Sequence, residues 1–342
     1  MTLPGDAMTY TVLAAAALSL GTLFQLFQRH IDGRPLLEAE PRRPVPWNFM
    51  APLILLAPML LLVLGGAETP ALPEEPEVTT TAAAMSAALG AAGAPSAAWF
   101  SGAATTTMAI EHAFYGISPE AMATGMWLTA VTTVAMTAAC FVLLILAFGA
   151  TRADLGLPAG WSQAIGDVKI GAATWAASLV PIYAVLIVLS VIFEPTTQHP
   201  IVERLLGNHS FWMMAAAAFS AVVAAPLYEE VAFRLVLQGW LERVGAAAST
   251  EIAEPLVDGS EEEPAIWSVP TRTEWAPIVI SGTLFGLAHW GHGVSPAPLI
   301  LLGFILGYVY QRTHRIVPCI VCHACFNAFT FVLLGLQFAA AG

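Results

Sequence analysis

The chain has 342 residues, 57% of them hydrophobic and only 11% charged, with a mean hydropathy of +0.73. A soluble domain carries about 25% charged residues, so this composition excludes an ordinary soluble fold and points to a polytopic membrane protein. The net charge of −12 collects in acidic loops, and the 12 Lys and Arg form no basic patch, which excludes nucleic acid as a partner. Cys140, Cys319, Cys322 and Cys325 all lie in apolar runs and build no disulfide framework.

In chain order, Tyr10–Phe27 reads as a first span. No positively charged stretch precedes it, so it is expected to stay as an anchor rather than be cleaved. Arg29, Arg34, Arg42 and Arg43 follow and mark a cytoplasmic loop. Phe49–Leu64 is a second span, kinked by Pro52 and Pro58. Residues 66–121 hold Glu but no Lys or Arg and read as a long, poorly ordered extracytoplasmic loop.

Ser118-Pro119-Glu120 starts a third span, Met122–Phe148. Asp154 to Asp167 reads as an amphipathic connection at the cytoplasmic interface, and Ile170–Phe193 as a fourth span. The fifth runs from Phe211 to about Arg243, and an acidic loop, 246–274, follows it. Trp275 to His289, Leu299–Tyr310 and Ile316–Phe338 complete the set. The sixth and seventh are shorter than the ~20 residues of a full crossing, so one of them is expected to be re-entrant.

All Lys and Arg except Arg204 and Arg234 then fall on inside loops. This asymmetry predicts an all-α bundle of about eight transmembrane helices with both termini extracytoplasmic, in the plasma (inner) membrane. Three regions follow: residues 1–121 with two spans and the long acidic loop, 122–210 with two more, and a core over 211–342.

The fifth span is the anomaly. Glu229, Glu230 and Arg234 sit in a run that is otherwise nearly all apolar. Each charge at mid-bilayer costs about 2.5–3.5 kcal/mol, so the three need a reason. Glu230 and Arg234, four apart, share a helix face and can pair. Glu229 is turned by ~100° from Glu230 and faces a different neighbour. A structural ion pair with a spare glutamate explains this stretch taken alone.

Two later pairs alter the balance. Phe285 and His289 are four apart on the sixth span, and His323 and Asn327 four apart on the eighth. Counting the rise from the arginine or tryptophan at each inner end sets Glu229 and His289 at ~20 Å and His323 at ~12 Å. Tilted helices bring the three into one polar intramembrane cavity. Such a cavity suits peptide hydrolysis, with Glu229 as general base and Glu230–Arg234 holding the geometry. His289 would position the water, and His323 and Asn327 would bind the scissile carbonyl. Phe285 would pack on His289 or line a substrate groove.

Glu229-Glu230-x-x-x-Arg234, Phe285-x-x-x-His289 and His323-x-x-x-Asn327, in that order over residues 211–333, resemble the motif set of the CPBP intramembrane proteases. That family includes type II CAAX prenyl endopeptidases and the Abi proteins. The resemblance implies the same site residues, with the first-motif glutamate at the centre, and a peptide or protein substrate at the membrane. It does not extend to the first 150 residues or the 246–274 loop.

Glu229, His289 and His323 also make a catalytic zinc set on paper; a metal-free, glutamate-activated water is preferred because Arg234 already supplies positive charge. His292 stands among Gly and Pro and is set aside as a ligand, and the three-residue recurrence of Cys319, Cys322 and Cys325 is read as helix packing. Two other classes remain: a scaffold or immunity protein without turnover, and a transporter with a glutamate–histidine proton relay.

Overall fold

The apolar runs become helices, and no strand occurs among the residues described by this computed structural model, namely 4–40, 44–56, 119–193, 210–252, 274–290 and 295–341. Five of the helices are long and apolar enough to cross a membrane. The first, α1 (Pro4–Ile31), is longer than its apolar centre, with Asp6 in its first turn and Arg29 and His30 in its last. Those charges complement the helix dipole and let it continue past the apolar run.

Helix α2 (Pro119–Phe148) opens on proline, whose missing N–H costs nothing in the first turn. Helix α3 (Trp161–Phe193) begins nine residues before the expected span. The connection was expected to remain interfacial through Asp167, but its second half is the first turns of α3, and Asp167 is fully buried. Hydropathy placed the start at the apolar run; an ion pair described below is what admits the earlier turns.

Helix α4 carries the glutamates. It runs as α-helical Phe211–Phe219, π-helical Ser220–Ala224, α-helical Ala225–Glu230, π-helical Val231–Gln238 and α-helical Gly239–Ile252. Helices α5 (Trp275–Leu287), α6 (Pro296–Thr313) and α7 (Ile316–Ala341) follow. The α5 apolar stretch is shorter than the others, as expected of the sixth span. Only 50–56 of the expected second span is described, and it is helical. The rest of that span, most of the loops 66–121 and 246–274, and His292 lie outside the described residues.

Helix α4 is the centre of the bundle. Of its most apolar window 39% is buried, against 6% for α1, and it packs on α2, α5 and α7. Close approach of α5 and α6 relies on small residues. Gly282 and Gly286 face Gly303 and Ile300, and a Cβ on Gly282 would meet the Gly303 backbone at 2.8 Å. The next turn puts Gly307 against Ile278 and Gln238.

Elsewhere polar side chains repair breaks in the helices. Pro181 inside α3 has no N–H for the carbonyl of Ala177. Ser19 of α1 donates to that carbonyl at 3.3 Å and accepts from the Val180 N–H at 3.1 Å, so the kink is satisfied without water. Gly156, at φ +65, lets its carbonyl accept from the Ile316 N–H at 3.0 Å, which ties down the start of α7.

One end of the bundle is braced by described residues between α1 and residue 56. Trp47 is fully buried and its indole N–H donates to the Val236 carbonyl at 3.2 Å. Arg243 donates to the carbonyls of Val45, Pro46 and Trp47 at 3.3, 2.7 and 2.8 Å. Arg312 donates to the Leu37 carbonyl at 3.0 Å, and Arg315 pairs with both Glu40 and Asp167. The buried Asp167 is therefore neutralised by an arginine from the α6–α7 corner.

Candidate active site

Glu229, Glu230, Arg234, Phe285 and His323 come together on α4, α5 and α7. All are buried: Glu230, Arg234 and Phe285 at 0% exposure, His323 at 3% and Glu229 at 6%. Arg234 Nε lies 3.2 Å from Glu230 Oε2, so the expected pair forms. The amino nitrogens Nη1 and Nη2 make no hydrogen bond among the described residues. The face of Phe285 covers the guanidinium instead, 4.6 Å from its centroid, and stabilises the charge by cation–π attraction.

Glu230 is not reserved for Arg234. Its Oε1 lies 2.8 Å from His323 Nδ1. A carboxylate next to an arginine accepts only, so Nδ1 carries the proton and donates it. The other ring nitrogen, Nε2, faces Glu229 Oε2 at 3.8 Å. The two glutamates are therefore different, as their rotation around the helix predicts, but the link between them is a histidine. Arg234, Glu230, His323 and Glu229 form one line.

Phe285 takes the first of its two expected places, packed on His289. It is wholly buried and holds four neighbours. Its ring packs edge-on against Phe233, His289 and His323 at 5.4, 5.2 and 5.6 Å, besides covering Arg234. His289 lies two residues beyond Leu287, the last residue of α5, with Nδ1 2.9 Å from the Phe285 carbonyl, a bond that orients its ring. Both histidines thus flank one phenylalanine.

Asn327, expected to bind a scissile carbonyl, donates through its amide Nδ2 to the backbone carbonyl of Ala221 at 2.6 Å. No sequence signal for this was read, because it depends on the π-turn in α4. Tyr228, beside the glutamates, donates to the Leu55 carbonyl at 3.3 Å. That bond brings the N-terminal segment up to the level of the site.

Among the described residues no three His, Cys, Asp or Glu side chains are grouped so that they could hold a metal ion. His323 is already engaged through Nδ1. Cys319 and Cys322 are fully buried, with Cys319 donating to the Leu306 carbonyl at 3.5 Å, in keeping with a packing role.

No curated protein and no solved structure matches the chain. A family model does: residues 210–329 match the one described as Rce1-like, type II CAAX prenyl endopeptidase. The matched segment holds α4 to most of α7, and hence all three motifs and every side chain of the cluster. The chain is thus similar to the type II CAAX prenyl endopeptidase Rce1-like family over residues 210–329, in line with the resemblance carried by the three motifs.

Proposed function

We propose that this protein is an intramembrane endopeptidase that hydrolyses a peptide bond of a membrane-associated protein or peptide through a water activated by Glu229. The observation that carries the reading is the line Arg234–Glu230–His323–Glu229, buried in an apolar bundle within a segment that matches a prenyl-endopeptidase family. A buried charge pair used only for adhesion needs no histidine aimed at a second carboxylate. Here that carboxylate is the last member of the line, and it is the only one of the four with measurable exposure beyond His323.

Glu229 takes a proton from the water as its oxygen attacks the scissile carbonyl carbon. His289 orients that water together with Glu229. Glu230, neutralised by Arg234, keeps His323 in the tautomer with the proton on Nδ1, so Nε2 stands beside Glu229 as an acceptor. The proton passes through Nε2 to the departing amine as the C–N bond breaks.

The arginine asymmetry supports about eight spans with both termini outside. The family's substrates by description are prenylated C-terminal CAAX sequences; the wider class, a peptide at the membrane surface, is what the reading requires.

The test compares peptide termini in membrane fractions from cells making the wild-type protein and Glu229→Ala at equal level. Termini that appear only with the wild type support the reading, and identical sets contradict it. A chelator should leave those termini unchanged. Their loss, with recovery on adding Zn²⁺, would replace the metal-free reaction by a metal-dependent one.

A further inference from the structure

The turn that precedes the glutamates has an internal defect. In the π-helical stretch Ser220–Ala224 the N–H of Ala225 reaches back five residues to the Ser220 carbonyl. An α-helix would have given that N–H to Ala221 instead. In the π register the next donor for Ala221 is residue 226, and residue 226 is proline, which has no N–H. The Ala221 carbonyl therefore loses both backbone donors that a helix offers it. It is buried in an apolar bundle, where an unpaired backbone group is costly.

The group that meets this carbonyl is the Asn327 amide, at 2.6 Å. Asn327 lies one turn beyond His323 on α7, and Ala221 lies two turns before Glu229 on α4. The bond thus joins the two helices beside the point where His323 bridges the two glutamates. Similar donors meet the second π-helical stretch: Ser281 Oγ on the Phe233 carbonyl at 2.8 Å and the Trp47 indole on Val236. The wide-turn form of α4 is held from outside.

We infer that Asn327 is a positioning residue: it supplies the donor that Pro226 withholds from Ala221, and so fixes the π-turn that sets Glu229 against His323. This rests on the peptidase reading for its effect on rate, though not for its effect on structure. The inference predicts a specific rescue. Pro226→Ala creates an N–H at the one place in the π register that can serve Ala221, so it should make Asn327 dispensable.

The experiment uses the full-length protein in liposomes with four forms: wild type, Asn327→Ala, Pro226→Ala and the double variant. Two quantities are read: amide hydrogen exchange over residues 222–231, and kcat and KM per folded protein on a peptide the wild type cleaves. Asn327→Ala should speed exchange and lower kcat by about 10²-fold, the size of loss a small misplacement produces, with KM little changed. The double variant should recover both to within a few-fold of Pro226→Ala.

Unchanged exchange in Asn327→Ala, or a kcat of folded protein equal to wild type, overturns the inference. So does a kcat loss that Pro226→Ala does not restore, because that pattern belongs to a direct contact with substrate. Glu229→Gln runs beside these as a separate control. If it still cleaves, the peptidase mechanism fails, while the exchange data continue to decide on Asn327.

Discussion

The two glutamates share a sequence neighbourhood and differ in what removal should do. Glu229→Gln keeps size and removes the base, so activity should fall by about 10²–10⁴-fold with little change in melting temperature. Arg234→Ala leaves Glu230 charged and buried with no cation, which should destabilise the protein by about 3–5 kcal/mol. Thermal unfolding in detergent checks both, and a large loss of stability in Glu229→Gln would contradict the division. Arg234→Lys should not rescue, since a point ammonium cannot lie flat beneath Phe285 as the guanidinium does. At this scale the sequence was informative about which residues matter. The four-residue spacings picked out side chains that the fold brings together on α4, α5 and α7, because i and i+4 share a face in any helix. What they did not carry was pairing across helices. The bond from His323 to Glu230, and the packing of Phe285 over Arg234 and against His323, depend on how α5 and α7 meet α4.

The elements show why. Helix α4 has two π-helical stretches around the glutamates, and no local signal announced them. Each shifts the face that later residues present, so the angles of a regular helix describe the neighbourhood of Glu229 only approximately. Proline is the readable part: Pro226 marks where a donor is missing, and Asn327 is the group that answers it. The same logic holds at Pro181, which was not singled out from the sequence. Ser19→Ala should leave the Ala177 carbonyl and the Val180 N–H unmet and cost about 1–3 kcal/mol, read as a lower melting temperature with activity of the folded protein retained. Gly303→Val is a harsher test. Its side chain would strike the Gly282 backbone and part α5 from α6, so the variant should fail to accumulate in the membrane.

For the whole molecule, composition alone carried the class: helical, with several helices apolar enough to cross a membrane. The span boundaries were less readable, because hydropathy sees lipid-facing surface and not buried charge. Asp167 looked like an interfacial residue until Arg315 and Glu40 closed around it. The N-terminal region was the least readable of all, yet Leu37, Glu40 and Val45 to Trp47 hold α4, α6 and the α6–α7 corner, and Leu55 meets Tyr228 beside Glu229. Those residues lie outside the segment that the family model matches. Trp47→Ala should lower stability by about 3–5 kcal/mol, seen as a drop in melting temperature of the full chain. All of this serves one chemical claim, that Glu229 activates the attacking water. The most direct measurement is cleavage of a substrate peptide by the reconstituted protein in H₂¹⁸O, followed by mass spectrometry of the new C-terminus. One ¹⁸O atom should enter that terminus with the wild type and none should appear with Glu229→Gln; undiminished cleavage and labelling by Glu229→Gln would contradict the account.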